Sequence, residues 1–149
     1  MALDELRRAE IIVHTRYPDP GPAYPIGMGL FAGLYPAAFA LPGAAMIAAF
    51  VVIGAVATVL IRIYVNRRGA VPDARKAPSR LRREMVIVVV AYLAITATAM
   101  ILWATTSWLI TSLAAAGATY VATEIYARRF ARAARMVESE AGIEPLVAA

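Results

Sequence analysis

Arg62-Ile63-Tyr64-Val65-Asn66-Arg67-Arg68-Gly69-Ala70-Val71-Pro72-Asp73-Ala74-Arg75-Lys76-Ala77-Pro78-Ser79-Arg80-Leu81-Arg82-Arg83 is a basic, proline-punctuated stretch set between two long apolar blocks. It carries eight of the fifteen Lys and Arg residues of the chain, whereas Ile26 to Ile61 on one side and Met85 to Thr123 on the other carry no charge. A central basic stretch between uncharged blocks reads as a loop held on the cytoplasmic side of a membrane, because Lys and Arg are retained there during insertion.

The composition agrees. A chain of 149 residues that is 61% hydrophobic and 17% charged, with mean hydropathy +0.66, departs from the composition of soluble domains, so lipid is the expected solvent for most of it. The net charge of +5 would suit nucleic acid in a soluble protein, but the basic residues sit beside apolar blocks and no recognition-helix or aromatic-interleaved basic pattern accompanies them. Attraction to anionic headgroups, about 1 kcal/mol for each Lys or Arg near the surface, explains the placement better.

Each apolar block is nearly twice the length of one span, for which about 20 residues suffice. The first breaks at Leu41-Pro42-Gly43, its one turn pair, giving spans from Ile26 to Leu41 and from Gly43 to Ile61. The second breaks at Trp103-Ala104-Thr105-Thr106-Ser107-Trp108, where two tryptophans flank a short polar cluster as at a membrane interface. Its spans run from Met85 to Trp103 and from Trp108 to Tyr126. A single long crossing per block is the competing parse, and charge decides between them. The N-terminal segment (Arg7, Arg8, Arg16), the central loop and the tail all carry arginines while both turns are neutral, so only an even number of crossings per block puts every arginine-bearing segment on one side.

The expected fold class is therefore all-α, a polytopic membrane protein with four transmembrane helices arranged as two hairpins. Residues 1–25 form a cytoplasmic or interfacial segment, 26–61 the first hairpin, 62–84 the basic loop, 85–126 the second hairpin and 127–149 a basic cytoplasmic tail. From Ala2 to Tyr17, Leu3, Leu6, Val13 and Tyr17 at helical spacing predict a short amphipathic helix on the membrane surface or against a neighbouring loop. Pro18, Pro20, Pro22 and Pro25 predict an extended connector after it. The last span is expected to continue as a helical basic extension until Gly142 and Pro145 end it.

Three sets of residues stand out. Gly29, Gly33 and Ala37 recur every four residues and make a smooth strip against which another helix can pack closely. Arg67, Arg68, Arg128, Arg132 and Arg135 offer a basic face to headgroups or to a cytoplasmic partner. The third set follows from a similarity between the hairpin ends, Ile61-Arg62-Ile63-Tyr64 and Thr123-Glu124-Ile125-Tyr126, which aligns Arg62 with Glu124 at equal depth. Charges at helix ends within lipid usually pair, so an Arg62 to Glu124 ion pair is expected, with an ion-coupling carboxylate at Glu124 as the sharper alternative.

Chemistry is disfavoured. The chain has no cysteine and a single histidine, His14, so thiolate chemistry and a His-based metal or haem site within one chain are excluded. No triad, HExxH or phosphate loop is present, and no carboxylate lies near the middle of any span where proton coupling would need one. No enzyme activity, cofactor, metal or nucleic-acid partner is expected.

Leu6-Arg7-Arg8-Ala9, the entry Tyr24-Pro25-Ile26-Gly27 into a Gly-rich span, Ile63-Tyr64 before Arg67-Arg68-Gly69, and the basic tail together give a plan that resembles a group of small, uncharacterised four-span membrane proteins of high-GC actinobacteria. That resemblance implies integral membrane location and association with a regulator or larger membrane system. The expected function is a non-enzymatic accessory or scaffold subunit of the cell (plasma) membrane, both termini cytoplasmic, acting by helix packing and its basic face. Its partners would be anionic headgroups and a membrane protein or further copies of itself. A small oligomeric transporter or channel is the alternative.

Overall fold

The computed structural model describes residues 2–15, 23–68 and 75–143, and over these the chain is all-helical. Five helices follow one another: α1 (Ala2–Thr15), α2 (Ala23–Phe39), α3 (Gly43–Arg68), α4 (Ser79–Thr105) and α5 (Trp108–Glu140). Of the extended connector expected from Tyr17 to Pro25, residues 17–22 lie outside the described residues, while Ala23, Tyr24 and Pro25 belong to α2, which corrects its last part: a proline is tolerated in the first turn of a helix.

The two turns fall where the residues demand them. Gly43 adopts φ +47, a left-handed conformation that glycine takes without steric cost, and Ala40 and Leu41 amides close the end of α2 on the carbonyls of Ala37 and Ala38. Between α4 and α5, Ser107 caps the new helix by accepting from the Ile110 amide, and Thr106 donates to the Leu102 carbonyl at 2.7 Å. The polar cluster thus satisfies itself. At the far end of α5 a left-handed Gly142 (φ +63) lets Ile143 bond back to Glu138 and Gly142 to Ser139, the paired hydrogen bonds of a Schellman ending.

The helices run deeper into the basic stretch than the apolar blocks do. Arg62 lies within α3, which continues to Arg68, and α4 starts at Ser79. At the other edge α2 opens at Ala23 with Pro25 in its first turn, where a missing N–H costs no intrahelical bond.

Helix α5 is the centre. Helices α2 and α4 both lie antiparallel along it, α3 has α2 as its main neighbour, and α1 docks on the last turns of α5. Tyr35 and Phe39 of α2 meet Phe50 of α3, and Phe39 also meets Trp103 of α4, so both turns sit at one end of the bundle. The amphipathic N-terminal helix packs on the last turns of α5 and, through Ile11, on a cluster that includes Ala77 of the basic loop.

The described interior is small and mixes hydroxyls and alanines with a few aliphatics such as Leu81 and Ile53, and the exterior is large and apolar. Thr111 and Thr123 are fully buried, with Ser112, Ala115 and Thr119 beside them, while Val51 and Leu113 are each 66% exposed and Leu93 65%. One helix of the described residues, α4, is long and apolar enough to cross a membrane, and none of its most apolar stretch is buried in protein. Helix α2, at seventeen residues, and the apolar stretch Gly43–Val59 of α3 are shorter. By length and hydropathy alone, one of the four expected spans is supported: α2 ends at Phe39, ahead of Pro42, and buried hydroxyls with late charges dilute α5.

Candidate functional site

The α2–α5 seam is built from the glycines. A Cβ at Gly29 would lie 2.9 Å from the Ala116 carbonyl oxygen, and one at Gly33 would lie 3.0 Å from the Ser112 carbonyl oxygen and from the Ala116 Cβ. The strip at Gly29 and Gly33 thus faces the backbone of α5, with Ala37 half-buried one turn further on. The Ser112 Oγ is buried in this seam without a hydrogen-bond partner. Between α4 and α5 the link is hydroxylic: Thr123 donates to the Thr119 carbonyl at 2.7 Å, so its oxygen accepts from the Tyr92 hydroxyl at 2.8 Å.

Because α2 and α4 both lean on α5 without packing closely on each other along their length, a groove of about 650 Å³ opens between them. Its walls run from Met28 to Phe39 on α2 and from Tyr92 to Trp103 on α4, and Ala115 and Thr119 of α5 form its floor. The Phe39–Trp103 contact, with ring centroids 6.2 Å apart, closes it at the end where the turns lie. Among the described residues, no charged side chain lines it.

The opposite end of the bundle is held by polar clasps. Arg129 donates from Nε and Nη2 to the two oxygens of Glu84 at 2.7 and 3.0 Å, a two-pronged bond that ties α5 to the start of α4. Both residues lie outside the apolar runs. The guanidinium holds the Glu84 carboxyl below its ordinary range, against a smaller opposing effect of burial, and the same bond raises Arg129. Arg80 reaches Glu140 at 2.9 Å. Thr15 of α1 donates to the buried Glu138 carboxylate at 2.8 Å, above a cluster of Ala77, Leu81, Ala134 and Val137 against which Ile11 packs.

The expected Arg62 to Glu124 ion pair does not form. Glu124 accepts instead from Arg128, one turn along the same helix, at 2.9 Å, while Arg62 is exposed on α3. Helix α3 packs on α2, away from α5, so equal depth does not bring the two side chains together. Of the expected basic face, Arg132 and Arg135 are exposed on α5 and Arg128 is engaged with Glu124. Arg67 and Arg68 end α3, where only the backbone is described.

Sequence reasoning passed over Glu84, Arg129, Glu138, Thr15 and the groove. The clasp had one legible signal: Glu84 is the single acid immediately before the second apolar block, and Arg129 follows its end. The groove had none, since its walls come from two helices distant in sequence.

These features define an all-helical protein with one helix able to cross a membrane, a small-residue seam and an uncharged groove. Among the described residues no cluster of His, Asp or Glu could hold a metal ion. The chain matches no family model, no curated protein and no solved structure, so its function is read from its own residues.

Proposed function

We propose that the chain is a four-span membrane protein of two hairpins, with termini and basic stretch cytoplasmic, and that it acts as a non-enzymatic accessory or scaffold subunit. One observation carries the reading: the burial pattern is inverted relative to a soluble bundle. Hydroxyls and small residues fill the α2–α5 and α4–α5 seams while most large aliphatic side chains of α2 to α5 face outward, Ile53, Leu81 and Val137 being buried exceptions. In water that surface would be an extended aggregation site, and in lipid it costs nothing, because hydrocarbon solvates Leu and Val as well as a protein interior does.

Two further features support it. Both neutral turns lie at one end of the bundle and the arginines at the other, as two crossings per hairpin require. Helix α2, at seventeen residues, is short for a span, which tilt, local thinning or the interfacial tyrosines can accommodate. The described acids of α4 and α5 are engaged: Glu84, Glu124 and Glu140 by arginines and Glu138 by Thr15. Lys76, Arg82, Arg83, Arg132 and Arg135 are left exposed as an anion-seeking face. The buried hydroxyls of Thr111 and Thr123 are hydrogen-bonded, which favours packing over a polar conduit.

Purification from membranes in mild detergent tests the reading. A membrane partner at fixed stoichiometry, released when Arg132→Glu and Arg135→Glu are combined, is the expected result. A homo-oligomer that conducts solute after reconstitution would replace the scaffold reading with a transporter.

A further inference from the structure

We infer that the groove between α2 and α4 holds one hydrocarbon tail of a membrane lipid from the leaflet on the side of the two turns, a reading that rests on the membrane placement proposed above. Size is the first ground. From Met28 to Phe39 and from Tyr92 to Trp103 each wall spans eleven residue steps, which at 1.5 Å per residue is roughly 16 Å. One leaflet of a hydrocarbon core about 30 Å thick has about that depth.

Position is the second ground. The apolar part of α4 starts at Met85, so a groove that begins at Tyr92 and ends at Trp103 occupies the half of the span nearer the turns. Polarity is the third. The Tyr92 hydroxyl, at the inner end, is already spent on Thr123, whose own hydrogen goes to Thr119, and Thr96 bonds back to the Tyr92 carbonyl, so that beside Tyr35, Thr119 and Trp103 the lining is apolar and suits hydrocarbon better than a polar ligand. Phe31, Tyr35, Phe39 and Trp103 present aromatic faces, and Met28 and Met100 supply adaptable side chains that conform to a flexible chain.

The groove is continuous with the outward apolar surface of α4, where Met100 is 71% exposed, so a tail enters sideways from the bilayer. The turns above it, Ala40 to Gly43 and Trp103 to Trp108, carry no charge. Recognition therefore acts on the tail, and headgroup charge is not read.

Trp103 lies in the groove and serves as the reporter. With Trp108→Phe as background, the full chain is reconstituted in phosphatidylcholine vesicles containing a rising fraction of phosphatidylcholine with brominated acyl chains, which quench tryptophan at contact. The expected result is a saturable quenching component at low brominated fraction, on top of the linear one from bulk lipid. Brominated phosphatidylglycerol should give the same curve. Ala99→Phe on one wall and Ala32→Phe on the other should each remove the saturable component and leave the linear one. Linear quenching alone in the background protein, or a saturable component unchanged in both filled variants, would overturn the proposal. So would a groove closed by a second copy, seen as a Trp103 shielded from every brominated lipid in an oligomer that stays in the vesicles. Failure of the membrane reading looks different: the chain would not remain with the vesicles at all.

Discussion

Helices α3 and α5 hold equivalent places in the two hairpins, and their apolar runs close in the same pattern, a charged residue two positions before a tyrosine and then arginines. One is the axis of the bundle and the other its periphery. The difference lies in the stripe each presents. Helix α5 offers Thr111, Ser112, Ala115, Thr119 and Thr123 on one face, which admit close backbone approach and exchange hydrogen bonds with α4. Helix α3 has small residues too, from Ala44 to Ala57 among its Val and Ile, but no buried hydroxyl among its described residues: Thr58 is exposed and bonds its own helix at the Gly54 carbonyl, and Gly54 has open space where a Cβ would stand. Where lipid solvates large aliphatics as well as a neighbour does, bulk gives a helix no reason to go inside, and small or hydroxyl-bearing faces decide the order of packing.

The contrast is broken most sharply at the glycines. Gly33→Leu should collapse the α2–α5 seam, since even a Cβ meets backbone and side chain at 3.0 Å there, and overpacking of this kind costs about 1–3 kcal/mol or more. Gly54→Leu on α3 should leave the thermal midpoint in detergent unchanged or raised, because helix propensity improves by up to about 1 kcal/mol. Equal destabilisation at both sites would place α3 in the core as well.

A smaller effect is expected at the hydroxyl link. Thr123→Val and Tyr92→Phe should each cost about 1 kcal/mol, and in a double-mutant cycle the two should be coupled by about 0.6 kcal/mol, the typical worth of such a bond between membrane helices. Additive losses would mean that the 2.8 Å contact contributes nothing of its own.

Acid tests the clasp. Glu84 is held below its ordinary value of 4.5 by the bond from Arg129, so its stabilising contribution is complete above that value and fades as the pH falls through the lowered pKa. Thermal stability measured from pH 7 to pH 3 should fall on the acid side, and Glu84→Gln should flatten that limb. The least consequential change is at Glu124: its pair with Arg128 is an exposed i,i+4 contact, worth about 0.3–0.5 kcal/mol. Glu124→Arg should do little, and Arg62→Glu should not rescue it.

The places of the turns were legible because Pro42-Gly43 and the Thr105-Thr106-Ser107 cluster are locally unfit for helix and chemically fit for caps. The Gly29 and Gly33 strip announced a close neighbour without saying which, since a smooth face is equally open to any helix backbone. The pairing of Arg62 with Glu124 failed for a related reason: hydropathy and register fix the depth of a charge and leave its direction around the helix open. Helix α1 was legible as amphipathic, but its partner was not, because the cluster at Ala77, Leu81, Ala134 and Val137 is assembled from both flanks of the second hairpin.

The two-hairpin arrangement across a membrane is tested most directly by cysteine accessibility, which the absence of native cysteine leaves without background. Leu41→Cys and Ala104→Cys, at the two turns, and Lys76→Cys and Ser139→Cys, at the basic end, are each expressed in intact cells and exposed to a membrane-impermeant thiol reagent. Both turn positions should label in intact cells, and both basic-end positions only after permeabilisation. Labelling of Leu41→Cys and Ala104→Cys from opposite sides, or of all four positions from the same side, would contradict it.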